Sequence, residues 1–186
     1  MGSEEKADDP TLVRLALGGE EVAFSALMSR HKDALYRFVR RYVGDADEAL
    51  DLVQEAFVAA WAALDRYDAA RPFPVWLRRI ALNKCRDWSR RRRVRRFFFG
   101  ATPLQADASA SASDERGGDE VVATEARLAR LDEAIAELPP ALKEPLLLTL
   151  FEDLTQQEAA RMLGISAKAV ETRVYRAKAK LRRLLG

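Results

Sequence analysis

The sequence predicts an all-α protein of two small helical domains joined by a flexible linker, the C-terminal one containing a helix-turn-helix. Three observations predict it. Strand-like alternation is absent, and apolar residues recur at helical spacing between glycines and prolines. From Ala101 the text changes to ATPLQADASASASDERGG, with one leucine and no aromatic, which cannot bury a core. Near the end, LTQQEAARMLGISAKAVETRVYRAKAKLRR joins a capping signal, a turn glycine and a basic helix. The expected boundaries are 1–100 for the first domain, 101–119 for the linker and 120–186 for the second domain.

Each element has its own signal. Thr11 is placed to cap a short helix through Leu17, stopped by Gly18-Gly19. A second helix is expected from about Glu20 to Val43, with Phe24, Leu27, Leu35, Phe38 and Val39 on its buried face. Gly44 ends it and Asp45 caps a third, continuing to about Asp65. There Leu50, Val53, Phe57, Trp61 and Leu64 follow 3, 4, 4, 3 spacing, which reads as one buried stripe. Pro72 and Pro74 suit the opening turn of a fourth helix, where a missing N–H costs little. Its apolar stripe is Leu77, Ala81, Cys85 and Trp88. Beyond the linker, Asp119 or Thr124 caps a helix ending at Leu138. Pro139-Pro140 forces a turn, and another helix runs to about Glu152.

Composition narrows the function. The chain has 186 residues, and no run of about 18 apolar residues is present to span a bilayer. The start, MGSEEKADDPT, is acidic and polar, the opposite of a secretory signal, and a reducing cytoplasm fits. One cysteine, Cys85, and one histidine, His31, leave neither a disulfide within the chain nor a zinc cluster. No nucleophile elbow, phosphate-cradling glycine loop or metal-ligand spacing occurs, so the expectation is a binding protein without cofactor rather than an enzyme. The net charge of +2 conceals segregation. Arg71 to Arg96 carries eleven basic residues against Asp87, and Lys168 to Arg183 carries seven against Glu171. Gly44 to Asp68 reverses this, with seven acids against Arg66. Two basic surfaces and an acidic one suit a polyanion and a separate basic partner, although solvated helix faces explain any single run equally well.

The C-terminal motif is the most specific signal. Thr155 and Glu158 have capping-box spacing, Ala159 and Ala160 permit close helix crossing, Gly164 supplies the turn and Ser166 caps the next helix. Val170, Val174, Ala177 and Leu181 then pack inward, leaving Lys168, Glu171, Thr172, Tyr175 and Arg176 outward on a helix that fits a major groove. The alternative is a plain helical hairpin. Arg176 or Lys168 suits guanine or phosphate; Glu171 suits a cytosine amino group, or instead pairs with Lys168 or Tyr175 and orients them. On the third helix Asp47, Asp51 and Glu55 step by four with Gln54 beside them. Like charges at that spacing cost a few tenths of a kcal/mol per pair, roughly, which a docked basic surface would relieve. On the fourth, arginines and aromatics suit single-stranded nucleic acid. Asn83 there is either a satisfied core amide or a reader of an exposed base edge, which needs donor and acceptor together.

In order, DEALDLVQEAFVAAWAAL, PFPVWLRRIALNKCRDWSRR, a polar linker and the LDEAIAELPP…KAKLR segment resemble a bacterial RNA polymerase sigma factor of the sigma-70 family, extracytoplasmic-function (group IV) subclass. The likeness covers nearly everything outside the first ten residues and the linker. It implies a promoter-specificity subunit acting with core RNA polymerase. Asp47, Asp51, Gln54 and Glu55 would dock on the β′ clamp coiled coil, with the β subunit as a further contact. The loop from Arg66 to Phe73 and the helix bearing Trp76, Arg79, Asn83, Arg86 and Arg90 would recognise the melted non-template strand of the −10 element. Lys168, Glu171, Thr172, Arg173, Tyr175 and Arg176 would read the −35 element as duplex. Control by an anti-sigma factor, often membrane-linked, is a common property of such proteins, and it would hold a cytoplasmic protein at the inner membrane. Ala169 and Glu171 stand where many relatives have threonine and a basic residue, which implies a different −35 sequence. Phe97 to Phe99 are unusual after an arginine run and would either pack on the first domain or present an apolar patch to a regulator. The competing reading is a stand-alone helix-turn-helix regulator that binds duplex DNA without polymerase.

Overall fold

The computed structural model describes residues 7–98 and 119–186, without the side chains of 96 and 119–125. The expected linker therefore lies outside the described residues except for its last position, as does Phe99. The helices in order are α1 (Asp9–Leu17), α2 (Glu21–Val43), α3 (Ala46–Ala62), α4 (Phe73–Phe98), α5 (Asp119–Ala136), α6 (Pro140–Leu150), α7 (Gln156–Leu163) and α8 (Ala167–Leu185). A 3-10 turn at Leu64–Arg66 separates α3 from α4. No strand occurs among the described residues.

α2 is the axis of the first group. It lies against α1, α3 and α4, and Leu27, Leu35, Phe38, Val39 and Tyr42 are all but sealed from solvent. Phe24, Leu27, Leu35, Phe38 and Val39 are all buried, as their spacing predicts. Gly44 ends α2 at φ 82°, a left-handed conformation that glycine adopts without a Cβ penalty. Asp45 then caps α3, its side chain accepting from the Glu48 amide at 2.9 Å. α4 closes this group with Leu77, Ala81, Cys85 and Trp88 buried. In the second group α6 and α7 pack on α8, and α5 crosses α8 as well. Ile135, Leu146, Leu147, Leu148, Val170 and Ala177 form its centre.

Four expectations change. Asp8, not Thr11, caps α1; its carboxylate accepts from the Thr11 amide at 3.0 Å, which holds that carboxyl below its ordinary value. Asp119 and Thr124 both lie within α5, so the helix begins earlier than either expected cap. α3 stops at Ala62, and the chain reaches Asp65 in the tighter 3-10 turn. On α3 itself, Leu50 and Trp61 are 50% and 43% exposed, while the small Ala49, Ala56 and Ala60 are buried with Leu52, Val53 and Phe57. The buried stripe is thus rotated toward the alanines, which let α3 approach its neighbours closely. Spacing alone ranked large side chains over small ones and misplaced it.

Two measurements test this core. Phe38→Ala, with no exposed surface to relax into, is expected to destabilise the chain by about 3–5 kcal/mol in urea unfolding. Burial pushes the Cys85 thiol up to about 12 from its ordinary value near 9. A thiol reagent at pH 8 is therefore expected to label Cys85 only at the rate of unfolding. Above pH 9 the unfolded thiol ionises and the folded one does not, so this group lowers stability as pH rises toward 12.

Candidate functional site

Three faces carry the residues singled out from the sequence. On α3, Asp47, Asp51, Gln54 and Glu55 are all exposed, and the exposed Leu50 and Val58 lie among them. The face is therefore a carboxylate rim around apolar contact area rather than a purely acidic strip. It is tied to α4 by two contacts. Lys84 Nζ lies 3.4 Å from Glu55, and the Trp88 indole N–H donates to Glu48 at 2.7 Å.

On α4, Trp76, Arg79, Asn83, Arg86 and Arg90 step by three and four residues along one side. Asn83 is exposed, which removes the core-amide alternative. Arg79 and Arg90 are also exposed, with Arg90 paired to Asp87 one turn back. Trp76 is half-buried, its ring 5.2 Å from Tyr67 and 5.6 Å from Phe73. That aromatic cluster anchors the loop before α4. The Tyr67 hydroxyl donates to the Arg71 carbonyl, and the Ala70 amide donates to the Asp68 carboxylate at 3.0 Å. The loop is thus held in one shape with Asp68 to Arg71 outward.

On the helix-turn-helix, the capping box forms as its spacing requires. The Glu158 amide donates to the Thr155 hydroxyl at 3.2 Å, and the Thr155 amide to the Glu158 carboxylate at 2.9 Å. Gly164 turns the chain at φ 68°, and the Ser166 hydroxyl accepts from the Ala169 amide at 3.1 Å. Val170, Ala177 and Leu181 are buried and Val174 half-buried. Lys168, Glu171, Thr172, Tyr175 and Arg176 face outward, with Arg173 half-buried. Lys168 and Glu171 pair at 2.8 Å on the exposed side of α8. The Thr172 hydroxyl donates to the Lys168 carbonyl at 2.8 Å, so its donor is used within its own helix.

The sequence reading missed a fourth feature. Lys143, Glu144 and Glu152, at or just beyond the ends of the apolar run of α6, are buried against the first group. Glu144 receives Nε and Nη2 of Arg86 at 3.0 and 2.6 Å, and the Tyr42 hydroxyl at 3.2 Å. Lys143 Nζ donates to the carbonyls of Tyr42 and Ala136, both at 2.6 Å, capping the C-terminal ends of α2 and α5 together. Burial draws the Lys143 ammonium down to about 8. Glu152 pairs with Arg78, yet burial still raises its carboxyl above the ordinary range. Arg41 pairs with Asp132 at 3.0 Å and lies over the Phe151 ring. The available signal was two adjacent charges, Lys143-Glu144, set inside the otherwise apolar PALKEPLLLTL.

The geometry defines a protein that is all-helical over its described residues, with an acidic face on α3, an arginine-rich α4 and a helix-turn-helix. The Sigma-70 region 2 family model matches residues 27–95 and the Sigma-70, region 4 model matches residues 128–181. The chain is 44% identical over 180 residues to RNA polymerase sigma factor CnrH of Cupriavidus metallidurans, covering 95% of this chain and 94% of that one. It is 43% identical over 177 residues to sigma factor NccH of Alcaligenes xylosoxydans xylosoxydans, with 95% and 94% covered. The solved structure of CnrH in complex with the cytosolic domain of CnrY superimposes with TM-score 0.67 at 37% identity, covering 95% of this chain and 96% of that one. The chain belongs to the sigma-70 family of RNA polymerase sigma factors, in its extracytoplasmic-function group. It is accordingly a transcription initiation factor and not an enzyme. No helix among the described residues is long and apolar enough to cross a membrane.

Removing the cap tests how the helix-turn-helix is held. Thr155→Ala is expected to lower the melting temperature. The bonded Glu158 carboxyl sits below its ordinary value, so the box contributes fully above that value and is lost as pH falls through the lowered one. The difference between wild type and variant in a thermal melt is therefore expected to shrink as pH is lowered.

Proposed function

We propose that this chain binds core RNA polymerase and directs promoter-specific initiation, reading the −35 element as duplex and the −10 element as melted strand. The observation that carries the reading is the separation of three surfaces on one chain. α3 offers carboxylates around Leu50 and Val58, α4 offers Asn83 among arginines, and α8 offers an outward polar face. A stand-alone duplex regulator has no use for the first two.

In this reading Asp47, Asp51, Gln54 and Glu55 meet the β′ clamp coiled coil, the exposed apolar residues among them adding buried area to charge complementarity. The β subunit provides a further contact. Arg79, Arg86 and Arg90 neutralise the backbone of the non-template strand, Trp76 braces the loop before α4, and Asn83 offers donor and acceptor to an unpaired base edge. Lys168, Glu171, Thr172, Arg173, Tyr175 and Arg176 face the major groove of the −35 duplex. The first reader occupies residues 1–100 and the second 120–186, with 101–119 setting their reach. Control by an anti-sigma factor is supported by the CnrH complex with the cytosolic domain of CnrY. Such a factor, if membrane-linked, would hold this cytoplasmic chain at the inner membrane.

Size-exclusion co-elution with core polymerase tests the assignment. Asp51→Arg with Glu55→Arg is expected to abolish stoichiometric co-elution while helicity is kept; unchanged co-elution would contradict the docking face. Arg176→Ala is expected to weaken promoter duplex recognition by roughly 1–3 kcal/mol, measured on the assembled holoenzyme. Tight duplex binding without polymerase would favour the stand-alone regulator.

A further inference from the structure

Helix α1 and His31, the only histidine, belong to none of the three faces, yet they meet beneath the loop that precedes α4. Nε2 of His31, on α2, lies 2.8 Å from one carboxylate oxygen of Asp9 in the first turn of α1. An ionised carboxylate only accepts, so Nε2 carries the proton and donates it, which fixes how the imidazole is turned. The other Asp9 oxygen accepts from Nη1 of Arg30 at 2.6 Å, and Nη2 of Arg30 donates to the Ala7 carbonyl at 2.6 Å. Held this way, the His31 ring has its centre 5.4 Å from that of Phe73, the first residue of α4. Phe73 is buried, and its ring stands edge-on to Tyr67 at 5.7 Å. The Tyr67 hydroxyl in turn closes the loop on the Arg71 carbonyl. α1 also touches the 3-10 turn Leu64–Arg66, from which the loop departs. One run of contacts thus leads from Asp9 through His31, Phe73 and Tyr67 to the outward residues Asp68 to Arg71.

We propose that His31 is a positioning residue for the loop that reads the melted strand, with Asp9 of α1 holding its ring against Phe73. The proposal rests on the reading of that loop as part of the −10 surface. Asp68 to Pro72 are all exposed, so the loop takes its placement from the aromatic cluster beneath it rather than from burial of its own side chains. A group that reads a base edge has to be held within about half an ångström, and its supporting shell decides whether it is. Asp9, Arg30 and His31 all keep some contact with solvent, so their ion pairs add little to stability. Loss of the Asp9–His31 bond frees the imidazole from Phe73 and lets the loop shift. The cost falls on selection of the base, while the core of the first group and the α3 face are left as they are.

The test uses holoenzyme assembled with the full chain, a promoter whose start site depends on this chain, and the same promoter with single base-pair substitutions in its −10 element. Strand opening is followed by the permanganate reactivity of unpaired thymines. The wild type is expected to favour the cognate promoter over a substituted one by about tenfold. His31→Ala and Asp9→Ala are each expected to bring that ratio toward unity, although α1 keeps its Asp8 cap. The double variant is expected to lose no more than either single one, because the two residues act as a unit. Asp9→Asn still offers Nε2 an oxygen and is expected to restore most of the preference. Co-elution with core polymerase and a thermal melt report that docking and fold are kept. Opening that falls equally on cognate and substituted promoters would mark a purely structural pair and overturn the proposal, as would losses that add in the double variant. Asp68→Ala with Arg71→Ala separates the two levels. If that loop variant leaves the ratio unchanged, the strand-reading role of the loop fails, and the proposal with it. If it lowers the ratio while His31→Ala and Asp9→Ala do not, the positioning role alone fails.

Discussion

Helix α4 has to satisfy two demands at once, and the rest of the molecule depends on how it does so. Its apolar stripe, Leu77, Ala81, Cys85 and Trp88, closes the core of the first helical group. A helix with that stripe locked has no rotational freedom left. Arg79, Asn83, Arg86 and Arg90 are consequently presented at a fixed angle on the opposite side, each one turn from the next. The Trp88 indole bond to Glu48 and the Lys84 pair with Glu55 tie the same helix to α3. In the proposed reading, polymerase docking and strand binding therefore sit on two helices that cannot move independently.

The interface between the helical groups has a different character. Buried ion pairs lose much of their Coulomb gain to desolvation, so the Arg86–Glu144 fork contributes more to geometry than to net stability. Lys143 shows how such an arrangement is tolerated: its ammonium meets two carbonyls that helix termini leave unpaired. No buried side-chain nitrogen or oxygen among the described residues lacks a partner. Beside these polar groups α2 packs on α5 and α6 within one continuous apolar core, which includes Tyr42, Val43, Ile135 and Leu146.

Much of this was legible in the chain. The helix-turn-helix was readable to the individual bond, because capping boxes, left-handed glycines and serine caps are local in sequence as well as in space. The Asp45 cap and the buried face of α2 followed for the same reason. The stripe on α3 was misread because Ala49, Ala56 and Ala60 are small, and burying an alanine leaves no mark on a hydrophobicity pattern. The Asp8 cap was displaced by a neighbouring candidate three residues away. Glu144 and Lys143 were unreadable for a deeper reason. Their partners, Arg86, Tyr42 and Ala136, include residues 58 and 102 positions distant from Glu144, and no local pattern encodes a contact across that separation.

The central claim is that this chain gives core polymerase its promoters. The direct measurement is in vitro transcription by core polymerase on fragmented genomic DNA of the source organism, with and without this protein, followed by sequencing of the transcript 5′ ends. The account predicts new discrete start sites that appear only with the chain and share two upstream sequence elements at one constant spacing. Start sites identical to those of core polymerase alone, with the protein folded and present in excess, would contradict it.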